Sequence, residues 1–306
     1  MVSKRNLIKP SKQLWLQVAV ALIVIAVLGV LINNITVNLI RTGLGLSFSW
    51  LSRSAGFALG EHPLPYDPSD SYAWALFIGW LNSLKVILSS LLLATLIGVA
   101  AGAARIGQNA LLRALSAGYV ALIRQVPLLL QLLFWYFVGF LSLSETPLAP
   151  LGGLIQLSNQ GIALLGVRLS VEFSALMVGL SVFTGAYIAE VVRGGLNSVH
   201  HGQWEAYRSL GLPEGIGLRR VVIPQALPAI IPGLTSQYLN LAKNSTLAIA
   251  VGYADLYAVS DTTITQTGRA IEGFLLLLLS FLLLNLLISS GMGAINRLVL
   301  QSQQPN

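Results

Sequence analysis

Six apolar runs, each about as long as the ~20 residues a helix needs to cross a hydrocarbon core about 30 Å thick, constrain this chain more than any other feature. They cover residues 14–32 and, approximately, 75–104, 119–143, 171–192, 225–251 and 273–295. Only 9% of the residues are charged and 55% are hydrophobic, against roughly 25% charged in a soluble domain. Such apolar excess has no core to enter, and its solvent is a bilayer. The pattern predicts an all-α fold, a polytopic membrane helix bundle of about six spans. Coiled coil, collagen and disorder fail on the same composition. With no cysteine there is no disulfide frame or thiolate site.

Sidedness follows from the positive-inside rule. The first run follows Lys4, Arg5, Lys9 and Lys12, and continues into Asn33-Asn34-Ile35-Thr36 with no small-residue cleavage site. It reads as a retained anchor with a cytoplasmic N-terminus. Threading six spans from there puts twelve Lys and Arg residues inside and four outside, with Lys85 and Lys243 within spans. Both termini then lie in the cytoplasm. The net charge of +7 is accounted for by topology, and no basic, aromatic-interleaved stripe exists for nucleic acid. Two long outer segments, about 33–74 and 144–170, and one long inner segment, about 193–224, remain for partners. The second outer segment is itself apolar around Pro147-Leu148-Ala149-Pro150-Leu151-Gly152-Gly153.

Catalytic chemistry has little to work with. No G-x-x-x-x-G-K-[ST] loop is present to cradle nucleotide phosphates, nor a G-x-S-x-G elbow or an H-E-x-x-H pair. His200 and His201 are adjacent and do not share a helix face, so they make poor joint metal ligands. The reading is a non-enzyme with no cofactor, dependent on a partner for any ATP hydrolysis.

The inner segment carries the most information. It runs His201-Gly202-Gln203-Trp204-Glu205-Ala206-Tyr207-Arg208-Ser209-Leu210-Gly211-Leu212-Pro213, and its spacing predicts two short helices. Trp204, Tyr207 and Leu210 form an apolar stripe, and Glu205 is within reach of Arg208. Gly211 suits a left-handed helix end and Pro213 the first position of the next helix. On physical grounds a surface-lying amphipathic helix and a docking element are equally served.

This stretch resembles the EAA loop of the membrane subunits of ABC importers. There a glutamate, an alanine and a glycine six residues after the glutamate mark the coupling helix that docks on an ATPase. Glu205, Ala206 and Gly211 match, while Tyr207 stands where a second alanine is usual and Ile223-Pro224 replaces Leu-Pro. Further blocks, from Arg124-Gln125-Val126-Pro127 through Phe137, Thr184 through Gly195, and Lys243-Asn244-Ser245-Thr246-Leu247, are similar to the polar amino-acid permeases of that family. The anchor, with Ala55-Gly56-Phe57, Tyr66 and Asp70-Ser71-Tyr72, resembles the longer permeases of general L-amino-acid import systems. The resemblance implies a type I importer transmembrane fold and amino-acid transport by alternating access. It further implies two ABC ATPase subunits, a second, non-identical permease subunit, an extracytoplasmic amino-acid-binding protein and a bacterial inner membrane. Residues 1–75 would be anchor and outer segment, 76–298 the permease core with its coupling loop at about 196–224, and 299–306 a cytoplasmic tail. Glu205, Ala206, Tyr207 and Gly211 would couple to the ATPase.

Other residues carry two readings each. Lys243, sharing a helix face with Asn240 and next to Asn244, suits a translocation path, or else a lysine snorkelling to the outer surface or pairing structurally with a neighbour. Glu190 and Arg193 at i, i+3 read as an ion pair. Pro224, Pro228 and Pro232 lie on one face and predict a bent or broken helix start. Gly98, Gly102 and Gly107 predict close helix packing. An ion-coupled transporter is the rival function, but it usually shows inverted repeats and midplane ionisable groups.

Overall fold

The computed structural model describes residues 12–41, 45–150 and 153–301. Lys4, Arg5, Lys9, Leu151, Gly152 and tail residues 302–306 lie outside them. Two compact units are formed, residues 1–49 and 50–306. In the first, α1 (Lys12–Arg41) contains the span Leu14–Asn38.

The second unit is built on two long helices, α2 (Tyr72–Ala104) and α5 (Val171–Asn197). Each begins with a serine side chain accepting from the third residue on, Ser71 from Trp74 N (3.2 Å) and Ser170 from Phe173 N (3.1 Å). Small residues let the two backbones approach closely. A methyl group on Gly98 would lie 2.4 Å from Ile188 Cγ2, and one on Gly102 would lie 2.7 Å from Val192 Cβ. Both glycines act as expected; Gly107 meets only carbonyls of its own turn.

The run 119–143 is not one straight helix. It comprises the end of α3 (Ala110–Gln125) and α4 (Leu128–Phe134), which continues as a π-helix to Leu141, with a 106° bend between them. Pro127 forces this break, because the residue before a proline is pushed out of the helical region, and Val126 adopts φ −99°, ψ 131°. Gln131 repairs it. Its Nε2 donates to Ile123 O and Val126 O, both at 2.9 Å, so carbonyls orphaned at the end of α3 are satisfied by a side chain.

Between α4 and α5 the otherwise helical chain carries a small antiparallel sheet. Strands β1 (Ile155–Ser158), β2 (Gly161–Leu164) and β3 (Val167–Leu169) form a meander. Ser174 Oγ on α5 accepts from Ile162 N at 3.0 Å and ties the sheet down.

After α5 come α6 (His201–Ser209), then α7 (Glu214–Gly217), which runs through a π-helical turn, Leu218–Val222, into α8 (Ile223–Asn244). Pro228 and Pro232 lie inside α8, and the π-helical turn stands just before Pro224. A 3-10 segment, Ser245–Val251, precedes α9 (Leu256–Thr267), which is capped by Asp255, and α10 (Ala270–Gln301). Among the described residues four helices are long and apolar enough to cross a membrane, or five if the bent pair is one span. The sixth expected span, 225–251, falls to α8, whose prolines and Ser236, Gln237, Asn240, Lys243 and Asn244 lower its hydropathy.

Residues 50–71 pack on the start of α2. Trp50, Ala55 and Leu59 are buried with Leu256 and Val259. Glu61 joins three elements, accepting from Lys85 Nζ and Ser170 N (both 3.3 Å) through its side chain and from Asn82 Nδ2 (2.8 Å) through its backbone carbonyl. Lys85, counted within a span, thus has a carboxylate partner, and it also sits 4.3 Å from the Phe173 ring centroid.

Candidate coupling face and transport path

The loop after α5 is shaped by two ends. His200 caps α6, its Nδ1 accepting from Gly202 N at 3.1 Å. At the other end Leu212 N donates to Tyr207 O (3.2 Å) and Gly211 N to Arg208 O (2.9 Å), with Gly211 at φ +68°. This is the Schellman pairing, and the left-handed residue it requires is most easily glycine.

The four expected coupling residues divide by burial. Tyr207 is 1% exposed and packs in one cluster with Val192 and Leu196 of α5, Val222, and Ala226 and Ile230 of α8. Glu205, Ala206 and Gly211 are exposed. Glu205 does not engage Arg208 as the spacing suggested; it meets His201 Nδ1 at 3.1 Å. Arg208 instead pairs with Glu214 at 3.0 Å and lies over the Trp204 and Tyr207 rings. Tyr207 Oη also donates to Glu214 Oε1 at 3.0 Å. The hydrogen bonds from Arg208 and Tyr207 hold the Glu214 carboxyl below the usual carboxylate range, while burial raises the Tyr207 phenol. The expected stripe is corrected at Leu210. It is 76% exposed, because it is the C-cap of α6 and the turn at Gly211 carries it off the helix face. Leu210, Leu212 and Ile216 are exposed apolar side chains at and after the end of α6. Pro213 is the residue preceding α7 and not its first.

Asn240, Lys243 and Asn244 come together. With Phe183, Thr184, Tyr187 and Gln237 they line a cavity of about 300 Å³ between α5 and α8. A second cavity, about 420 Å³, lies on the α3 side of α5 and includes Arg105, Arg124, Gln125, Tyr187 and Glu190. The Glu190–Arg193 ion pair is present at 2.9 Å, and Arg105 makes it a triad by donating to the other Glu190 oxygen. Sequence reasoning missed Arg105, whose partner is 85 residues away.

Residues 94–301 match the family described as the inner membrane component of binding-protein-dependent transport systems. The chain belongs to that family. Among curated relatives, this family member is 33% identical to the putative amino-acid ABC transporter permease protein YhdX of Escherichia coli, covering 94% of each chain. It is 31% identical to the general L-amino acid transport system permease protein AapQ of Rhizobium johnstonii, covering 93% of this chain and 91% of that one. Of solved structures, an amino acid ABC transporter crystallised with histidines superposes with TM-score 0.57 at 26% identity, over 74% of this chain and 94% of that one. The MetNI methionine ABC transporter in an inward-facing state gives TM-score 0.57 at 23% identity, over 74% and 96%. The transmembrane fold is that of type I importers, as the resemblance of the loop around Glu205 implied.

Proposed function

We propose that the chain is the membrane-spanning permease subunit of an ATP-driven importer of amino acids, moving cargo by alternating access coupled to a separate pair of ATPase subunits. An extracytoplasmic binding protein delivers the amino acid, and a second, non-identical permease subunit completes the path. Both termini lie in the cytoplasm of a bacterium, with residues 1–75 as anchor and outer segment, 76–298 as permease core and 299–306 as tail. Amino-acid cargo is supported by the names of the relatives.

The observation that carries the coupling is the double character of α6. Its exposed side offers Glu205 and Ala206 for docking and the turn after it adds the apolar Leu210 and Leu212, while Tyr207 roots it among α5 and α8 side chains. A push on one side is delivered to the bundle on the other. Asn240, Lys243 and Asn244 lie on the path, where amide and ammonium groups can replace the hydration of a zwitterion. Mild-detergent purification from the native membrane, with identification of the proteins that accompany the chain, tests this. A P-loop ATPase and a second permease are expected; recovery of the chain alone contradicts the proposal.

A further inference from the structure

Two cavities meet at Tyr187, and each contains a cation with no carboxylate in ion-pair range among the described residues. In the first the cation is Lys243. In the second, Glu190 has both oxygens taken, one by Arg105 and the other by Arg193. Arg124 is left over. Its guanidinium lies 5.1 Å from the centroid of the Tyr187 ring. A cation–π contact at this distance occupies none of its N–H donors, a fork that matches a carboxylate. Gln125, whose Nε2 donates to Ala121 O at 2.9 Å, lines the same cavity.

We propose that Lys243 and Arg124 are two successive stations for the α-carboxylate of the cargo, with Tyr187 the wall they share. The inference rests on the transport reading above. Every amino acid carries that carboxylate, so two cations serve the whole class and leave discrimination between side chains elsewhere. Both cations are exposed within their cavities, so an anionic visitor can reach them directly. Two stations of moderate strength suit passage better than one deep site, because cargo must leave as readily as it enters. In the proposed topology Lys243 lies nearer the outer side and Arg124 nearer the inner, so the order follows the direction of import.

The test uses the whole complex in proteoliposomes with its binding protein and radiolabelled L-glutamine, read as amino acid moved per ATP hydrolysed. Arg124→Gln is expected to lower that ratio about tenfold and Arg124→Lys to recover most of it. Lys243→Gln gives an independent second reading with the same expected loss. Tyr187→Leu, which removes the stacking surface, is expected to lower the ratio without adding to Arg124→Gln in the double variant. Uptake and ATP hydrolysis falling together, or Arg124→Lys no better than Arg124→Gln, would overturn the proposal in favour of a structural arginine. If the anion is a lipid phosphate, the unsubstituted complex would need phosphatidylglycerol for uptake and Arg124→Gln would abolish that need, which also overturns it. Absence of ATP-dependent uptake in the unsubstituted complex would instead sink the transport reading and this inference with it.

Discussion

Tyr207 lies so close to Gly217 that a methyl group there would sit 2.2 Å from its Cδ2. The ring that roots α6 in the bundle therefore requires a residue without a side chain ten positions later, on α7. Where a second alanine is usual in the loop it resembles, this chain has a large aromatic and the glycine that makes room for it.

Gly217→Ala is expected to displace the Tyr207 ring and weaken its hydrogen bond to Glu214. Uptake should fall at least fivefold while the chain still inserts. Tyr207→Ala should empty the same space at a cost of about 3–5 kcal/mol, read as a lower thermal midpoint of the purified complex. Unchanged uptake in Gly217→Ala would show that the ring is not part of the linkage.

Glu205 is exposed and makes only a surface pair with His201, worth little to folding. Glu205→Ala should leave the thermal midpoint within a degree or two and reduce the ATPase recovered on purification several-fold. Full recovery of the ATPase would remove Glu205 from the docking face.

Gln131→Leu removes both hydrogen bonds that satisfy the end of α3 at the bend. Leaving partly buried carbonyls unpaired costs up to about 1–3 kcal/mol. The thermal midpoint should drop, and Gln131→Glu should not restore it, since a carboxylate cannot donate to those carbonyls. Equal stability of Gln131→Leu would mean that water or another group caps the bend.

Burial raises the Asp255 carboxyl from 3.8 to about 7, against the pull of the Ala258 N–H donating to Oδ1 at 2.8 Å. A folded value above the unfolded one favours the protonated form on folding. The contribution to stability is full below about pH 4 and is lost as pH rises to about 7. Asp255→Asn keeps an acceptor for the cap and cannot ionise. Its thermal midpoint should lose that slope between pH 4 and 7 and exceed the unsubstituted protein's at pH 8. Parallel curves for the two would contradict this.

Much of the fold was legible because membrane helices announce themselves by length and composition, and Gly98 and Gly102 by their spacing. The bend at Val126-Pro127 was visible as a dipeptide, but the continuous apolar run through it hid its effect. The three strands of 155–169 are only three or four residues each, too short for alternation to declare them. Local spacing gave Glu205 the nearest cation, Arg208, when the fold gives that arginine to Glu214 across the turn at Gly211. Glu61 and Arg105 escaped notice because their partners lie far along the chain. The grouping of Asn240 with Lys243 was readable from helix periodicity; their meeting with Tyr187 was not, since only the packing of α5 on α8 brings them together.

The most direct test of the account is uptake of labelled L-glutamine and L-glutamate into proteoliposomes holding the complete complex and its binding protein, with ATP and ion gradients supplied separately. Uptake that requires ATP, ignores the gradients and is lost in Glu205→Ala is the predicted result. Uptake driven by an ion gradient without ATP would contradict it.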